Sequence, residues 1–321
     1  MSFTVFSTTI VLHRLGGSMG ARVENVGLAK APNGAVSLAP GVLARLCAAF
    51  PVLILFLRAY NKATGALWPR RTSVTYFGAR MECDTRDLIQ GRIAHFGVWE
   101  PDVAAVFHDV IRPGDVVVDV GANIGFFTLL SAKLVGETGG VVAIEASPPI
   151  AERLQRHVAM NDLKNVRVAA VAVSDAPGEL VLYAGPTTNI GKSTTVATRG
   201  FREQARVPAL PLDQILTGQE RAAVSLIKID IEGAEGPVLN RLLDTLDLYP
   251  RRLSVLVEAS ADEAPETWHA IFDRFRAAGF TARAVRNRYD WDWYLNWRVR
   301  EEPQILDNLP NVQTDIFFSR Q

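Results

Sequence analysis

The feature of this sequence that most constrains its fold is a run of mostly β-branched residues, Val116 to Val120, which leads directly into the turn Gly121 to Gly125. A strand whose residues do not alternate between polar and apolar is typical of a sheet that is buried on both faces. Further strand-like segments follow, and each is separated from the next by a segment with helical spacing. Strands that alternate with helices predict a parallel sheet with helices on both faces.

The alternation also predicts the order of the elements. We expect strands of the main sheet over 116–120, 141–144, 166–173, 224–229, 253–257, 281–285 and 314–318, an inserted antiparallel strand over 179–183, and helices over 102–111, 126–134, 148–160, 233–243 and 265–278. This is a Rossmann-like, doubly wound α/β fold with a mostly parallel, seven-stranded sheet. We assign it to residues 91–321, and residues 1–90 to an N-terminal arm with an accessory helical and β segment.

Charge and cysteine content narrow the classes of partner. Lys and Arg together number 34, as do Asp and Glu, whereas proteins that grip nucleic acid over a broad face usually have a basic surplus. We therefore expect no nucleic-acid partner.

The two cysteines, Cys47 and Cys83, lack metal-type spacing and favour a reducing compartment, so we expect a cytoplasmic protein. The apolar segment 42–58 is too short to span a bilayer, which leaves packing on the main domain or contact with a membrane surface.

Acidic side chains follow most of the predicted parallel strands. Asp119 lies near the end of the first strand, Glu145 follows the second, Asp175 follows the third, and Asp230 and Glu232 follow the fourth. In an open parallel sheet, ligands bind beyond the carboxyl ends of the strands, near the point where the strand order reverses. We therefore expect these carboxylates to surround a ligand.

The turn after the first strand separates two classes of cofactor. A nicotinamide dinucleotide carries a pyrophosphate and favours G-x-G-x-x-G, but Asn123 and Phe126 replace the second and third glycines. S-adenosylmethionine carries a positive sulfonium and an ammonium group, which acidic strand ends would stabilise. We therefore expect it to be bound by Asp119, Gly121, Ala122, Asn123, Gly125, Glu145, Ser174, Asp175 and Asp230. Within this set, Glu145 would accept hydrogen bonds from the ribose hydroxyls, and Ser174 or Asp175 would lie beside the adenine.

Several of these segments resemble the FkbM-type methyltransferases. The matching segments are Trp99–Pro101, Asp119–Gly125, Glu145–Pro148, Asn161–Val166, Ser174–Gly178 and, most distinctive, Leu226–Glu235 with the letters LIKIDIEGAE. The resemblance covers roughly residues 95–260. It implies the Rossmann-like fold of class I methyltransferases, S-adenosylmethionine as methyl donor, and usually O-methylation of small molecules or sugars.

The acids after the fourth strand are the candidate catalytic residues. Transfer of a methyl group to a hydroxyl is helped by a general base, and we expect Asp230 or Glu232 to act as that base. A pair of acids there would also suit a divalent metal, which we do not favour. Acids at the start of a helix also stabilise its dipole, and for Glu235 this structural role is the better interpretation.

The acceptor is less constrained by the sequence. The aromatic residues Tyr289, Trp291, Trp293, Tyr294 and Trp297 would stack on a carbohydrate-like acceptor, or form a packed hairpin, or join two copies in a homo-oligomer. A small-molecule or sugar O-methyltransferase is therefore our main hypothesis. A nicotinamide-dependent oxidoreductase and a non-catalytic binding or scaffold protein with the same fold are the alternatives.

Overall fold

The computed structural model describes residues 28–30, 36–38, 69–184, 195, 202–260, 264–295, 297 and 302–320. Most of the predicted N-terminal arm, including Cys47 and the apolar segment 42–58, lies outside these residues. No helix in the described part of the chain has the length and apolarity needed to cross a membrane. The chain divides into two compact units, Met1–Pro101 with Arg288–Arg300, and Asp102–Asn287 with Glu301–Gln321.

The described strands and helices closely follow the predicted alternation. The strands are β1 (Leu28–Lys30), β2 (Val36–Leu38), β3 (Arg70–Val74), β4 (Arg80–Asp84), β5 (Val116–Val120), β6 (Gly140–Ile144), β7 (Val166–Ala169), β8 (Ala172–Val173), β9 (Gly178–Ala184), β10 (Arg202–Leu210), β11 (Val224–Ile229), β12 (Ser254–Ala259), β13 (Thr281–Val285), β14 (Gln304–Ile305) and β15 (Thr314–Ser319). The helices are α1 (Leu88–Phe96), α2 (Pro101–Val110), α3 (Phe126–Val135), α4 (Pro148–Met160), α5 (Leu212–Ile215), α6 (Gly218–Ala223), α7 (Glu235–Asp244), α8 (Pro265–Ala277) and α9 (Trp291–Leu295).

One mostly parallel sheet forms the centre of the second unit. Its strand order is β14-β13-β15-β12-β11-β5-β6-β7. The five strands from β12 to β7 are parallel to one another, and β15 runs antiparallel to both β12 and β13. The predicted Rossmann-like α/β fold is therefore confirmed. The sheet has eight described strands instead of the predicted seven, because the two-residue strand β14 pairs with the outer edge of β13.

The predicted strand over 166–173 is wrong as a single element. β7 ends at Ala169 in the main sheet, the exposed Ala170 lies outside any strand, and β8 pairs instead with β10. The predicted antiparallel strand over 179–183 is present as β9, and it also pairs with β10. β8, β10 and β9 thus form a separate three-stranded sheet, which we call the side sheet.

Both faces of the main sheet are buried against helices. Val142 and Ile144 of β6 belong to a core that includes Leu239 of α7 and Ile271 of α8. Between them, Ala143 points to the opposite face and packs with Leu154 of α4. This two-sided burial is the physical reason why β5 and β11 are apolar almost throughout and lack a period of two.

Candidate functional site

Gly121 follows β5 at the point where β5 and β11 end side by side. Its φ angle is +76°, and a Cβ atom at this position would lie 1.7 Å from the backbone oxygen of Asp230. Its N–H group donates a hydrogen bond to the oxygen of Ile144, while the N–H of Asp230 donates to the oxygen of Val120. Glycine is therefore needed here so that the ends of β5, β6 and β11 can meet.

The rest of the turn connects β5 to α3. Asn123 has a φ angle of +51°, and its side-chain oxygen accepts a hydrogen bond from the N–H of Ile124. Gly125 has a φ angle of +95°, and a Cβ atom there would lie 2.4 Å from Cδ1 of Leu154. Ala122 is buried. We predicted that Gly121 and Gly125 admit the cofactor closely; the structure shows that packing within the protein already requires both glycines.

Glu145 follows β6 and is held by two backbone groups. Its Oε2 accepts a hydrogen bond from the N–H of Asn123, and its Oε1 accepts one from the N–H of Ser147, each at 2.8 Å. The side chain is almost fully buried, and this burial raises its pKa to about 7 although the two N–H groups act in the opposite direction. Glu145 therefore ties the turn after β5 to the start of α4.

Asp119, in β5, is 1% exposed. Its Oδ2 accepts a hydrogen bond of 2.6 Å from the hydroxyl of Thr128, whereas its buried Oδ1 has no hydrogen-bond partner among the residues that the structure describes. Burial raises the pKa of Asp119, and the positive charge of Lys228 partly offsets that effect. The fold thus buries a carboxylate oxygen with unused acceptor capacity beside the strand ends.

Asp230 follows β11 and is paired with a lysine of the same strand. The distance from Nζ of Lys228 to Oδ2 of Asp230 is 2.8 Å, and the side chains are 6% and 33% exposed. Lys228 and Asp119 are direct neighbours in the register of β11 and β5. The sequence prediction did not include Lys228, although a lysine inside an otherwise apolar strand was a visible signal.

Glu232 and Glu235 have different surroundings. Glu232 is half-buried, with a φ angle of +57° in the turn before α7, and it does not line the cleft beside Asp230. Glu235 is 2% exposed and accepts hydrogen bonds from the N–H groups of Ile231 and Gly233. The preferred interpretation of Glu235 as a structural acid at a helix start is therefore confirmed.

These strand ends surround one cleft, which we call the acidic cleft. It encloses about 580 Å³, part of it open to solvent. Its polar wall contains Asn123, Glu145 and Asp230, and its apolar wall includes Ile144, Ile150, Val171, Val173 and Leu182. The cleft therefore presents carboxylates on one side and apolar side chains on the other.

Ser174 and Asp175 lie outside this cleft. The Ser174 hydroxyl donates to the oxygen of Ala176, and Asp175 is exposed in the turn between β8 and β9. The cleft wall near this point is formed by Val173 and by Leu182 of β9. Sequence reasoning missed these apolar residues because it treated 166–173 as one strand of the main sheet.

The comparison with protein families identifies the fold unit that carries this cleft. A family model described as "Methyltransferase FkbM domain" matches residues 119–282, which include the turn after β5, Glu145 and Asp230. The chain belongs to the FkbM methyltransferase family. The resemblance inferred from the sequence motifs is thereby confirmed.

Two curated relatives place this FkbM domain among methyltransferases of different substrates. The 31-O-demethyl-FK506 methyltransferase FkbM of Streptomyces tacrolimicus is 30% identical over 176 residues, which cover 46% of this chain and 66% of the relative. An arsenite methyltransferase of Halobacterium salinarum is 32% identical over 94 residues, which cover 29% of this chain and 23% of the relative. The chain thus spans less than two thirds of the length of either relative.

Solved structures show more remote likeness. An S-adenosylmethionine-dependent O-methyltransferase from Thermotoga maritima shares 12% identity with a TM-score of 0.41, and the match covers 78% of each chain. This similarity is too remote to bear on the activity of the FkbM domain.

The aromatic residues 289–297 belong to the other compact unit, outside the segment that matches the FkbM domain. Tyr289 stacks on Trp99 with ring centroids 5.3 Å apart, and its hydroxyl donates to Oε1 of Glu100. Tyr294 is fully buried, and its ring packs at 5.2 Å from that of Phe96. These contacts favour the packing interpretation of the aromatic residues over direct stacking on a sugar.

Within the described ranges, no group of three or more His, Cys, Asp or Glu side chains is arranged so that it could hold a metal ion.

Proposed function

We propose that this chain is an S-adenosylmethionine-dependent methyltransferase that methylates a hydroxyl group of a small-molecule or sugar-containing acceptor. The observation that carries the proposal is the acidic cleft of a chain that belongs to the FkbM family. In it, Glu145 and Asp230 follow β6 and β11, the two parallel strands on either side of β5, and β5 carries the buried carboxylate of Asp119.

The residues present fit S-adenosylmethionine. Oδ1 of Asp119 is a buried acceptor with no partner among the described residues, so it has capacity for a further hydrogen bond. Asp119 and Asp230 would hold the positively charged methionine portion, because carboxylates stabilise an ammonium group strongly where water is scarce. Glu145 would accept from the ribose hydroxyls, and the apolar wall would cover the adenine ring.

The cofactor, when bound, supplies a methyl group that is already activated by the positive sulfur. The protein must then hold the acceptor hydroxyl close and in line with that methyl group. Asp230 is one-third exposed and lines the cleft, so we propose it as the general base that accepts the hydroxyl proton. Glu232 is the weaker candidate for the base, because it does not line the cleft.

Methylation at oxygen is supported by one relative in particular. The name of the Streptomyces tacrolimicus relative specifies transfer to a hydroxyl oxygen of a small molecule. The arsenite methyltransferase of Halobacterium salinarum bears the name of an inorganic acceptor and matches a shorter part of this chain. The oxidoreductase alternative loses support, because the turn lacks the dinucleotide glycines and the family is one of methyltransferases.

The test is methyl transfer from radiolabelled S-adenosylmethionine to a panel of alcohols, sugars, primary amines, thiols and arsenite. We expect label in hydroxyl-bearing acceptors, and turnover lowered about a hundredfold or more in Asp230→Asn, since the amide cannot accept the proton. Transfer only to amines, thiols or arsenite would refute the proposed O-methylation. Turnover of the Asp230→Asn variant equal to that of the wild type would remove Asp230 from the role of base.

A further inference from the structure

The lysine buried below the acidic cleft has no part in the chemistry proposed so far. Lys228 is the fifth of the six residues of β11, a strand in which every residue is buried, and its side chain is 6% exposed. Burying an ammonium group is costly unless charges or polar groups of the protein surround it. Its position therefore calls for an explanation beyond packing.

The described contacts of Lys228 include two carboxylates and one aromatic ring. Its Nζ atom lies 2.8 Å from Oδ2 of Asp230 and 5.1 Å from the ring centroid of Phe127 in α3. Asp119 is its direct neighbour across the sheet, in β5. A cation at this point forms an ion pair with Asp230 and favours the ionised form of Asp119, and the Phe127 ring adds a cation–π contact on the side of α3.

Without the positive charge of Lys228, the four acids near this point would repel one another electrostatically. Asp119 interacts electrostatically with Asp230, Glu145 interacts with both, and Glu235 interacts with Asp230. Three of the four, Asp119, Glu145 and Glu235, are almost fully buried. Burial and repulsion both favour the protonated form of a carboxyl group, so the loss of Lys228 would favour protonation of the buried Asp119.

We propose that Lys228 is a positioning residue that pairs with Asp230 and keeps the buried Asp119 ionised, so that both aspartates are in place for the positively charged cofactor. This inference rests on the proposed function, because it assumes that S-adenosylmethionine is the ligand of the cleft. Lys228 is buried below the cleft surface and does not line it, so it acts through the two aspartates.

The role proposed for Lys228 predicts the opposite change in cofactor affinity from the one expected from the net charge of the cleft alone. If the acids stayed ionised, removal of a positive charge would make the cleft more negative and would tighten the binding of a cation. If Lys228 is what keeps Asp119 ionised, its removal weakens the binding of S-adenosylmethionine at neutral pH. This loss of affinity is reversed at high pH.

The experiment is calorimetric titration of the full chain with S-adenosylmethionine at several pH values between about 6 and 9, all above the ordinary pKa of an aspartate side chain. In Lys228→Met we expect affinity about tenfold weaker than that of the wild type at pH 7, recovery at pH 9, and a midpoint raised by about one pH unit or more. Lys228→Arg keeps the cation and should retain the wild-type midpoint. Lys133→Met makes the same change at an exposed position of α3 and serves as the matched control.

A second variant keeps the test decisive if Lys228→Met fails to fold. Lys228→Gln removes the charge but keeps an N–H donor for Asp230, and it should show the same raised midpoint. Affinity in the neutral variants that is tighter than wild type, or weakened equally at every pH, would overturn the inference. No binding by the folded wild type would instead refute the proposed function, so the two failures are distinguishable.

Discussion

Gly121 bears the most severe steric constraint at the residue scale. Any side chain there meets the backbone oxygen of Asp230 at 1.7 Å, and the φ angle of +76° is unfavourable for residues other than glycine. We expect Gly121→Ala to lower the free energy of unfolding by about 3 kcal/mol or more, measured by urea denaturation.

The matched control for this substitution is Gly178→Ala. Gly178 starts β9, and a Cβ atom there would meet no other atom within 4 Å. We expect its free energy of unfolding to stay within about 0.5 kcal/mol of the wild type. Equal stability of the two variants would show that the ends of β5 and β11 do not approach as closely as described.

Glu145 should make stability depend on pH. Burial raises its pKa from an ordinary value of 4.5 to about 7, so in that window the folded protein binds more protons than the unfolded chain. The stability contribution of the protonated group is therefore present at low pH and is lost as the pH rises through 7. Between pH 5 and pH 8, we expect the wild type to lose about 2 kcal/mol more than Glu145→Gln.

Chemical denaturation of both proteins across this pH range measures the difference. Parallel stability curves for the wild type and Glu145→Gln would mean that Glu145 titrates as an ordinary exposed carboxyl group.

The site residues whose positions follow from the local sequence pattern were the easiest to place from the sequence. Glu145 and Asp230 could be placed on the cleft because both follow strands of one parallel sheet, whose carboxyl ends lie at the same edge. Ser174 and Asp175 could not, because their position depends on where the chain leaves the sheet. That departure is set by long-range pairing of β8 with β10, which has no local signal in the sequence.

At the scale of elements, the side sheet forms part of the wall of the acidic cleft. Leu182 of β9 lines the cleft and is 3% exposed, while Leu180 of the same strand packs against the core of the side sheet. The two leucines therefore offer a matched pair for separating cofactor contact from packing.

We expect Leu182→Ala to weaken binding of S-adenosylmethionine about five- to tenfold, because it removes apolar surface from the cleft wall. Leu180→Ala should destabilise the protein but leave the affinity within about twofold of the wild type. Calorimetric titration measures the affinities, and thermal unfolding measures the stabilities. Equal loss of affinity in both variants would mean that the side sheet affects binding only through the overall fold.

The main sheet was predictable as a set of elements because its strands are buried on both faces and its helices have clear boundaries. α4 begins and ends at the predicted residues, Pro148 and Met160. The side sheet was not predictable as a unit, because β10 lies in a polar segment whose exposed residues give little periodic signal. The edge strand β14 has only two residues, both exposed, and likewise gives no periodic signal in the sequence.

At the scale of the whole molecule, the family match and the acidic cleft coincide. The FkbM domain match spans 119–282, and the cleft residues Asn123, Glu145 and Asp230 all lie within it. The unit that contains Trp99 and Tyr289 lies outside the match. We therefore expect the matched segment to determine the cofactor, whereas the acceptor depends on parts of the chain that the sequence motifs do not reach.

The most direct test of the proposed cofactor site is calorimetric titration of S-adenosylmethionine into the wild type, Glu145→Gln and the exposed control Glu137→Gln at pH 8, where Glu145 is ionised. We predict binding by the wild type and by Glu137→Gln, with affinity at least about tenfold weaker in a folded Glu145→Gln variant, because the amide offers one acceptor oxygen in place of two. No binding by the folded wild type, or equal affinity in all three proteins, would contradict the assignment of the acidic cleft as the cofactor site.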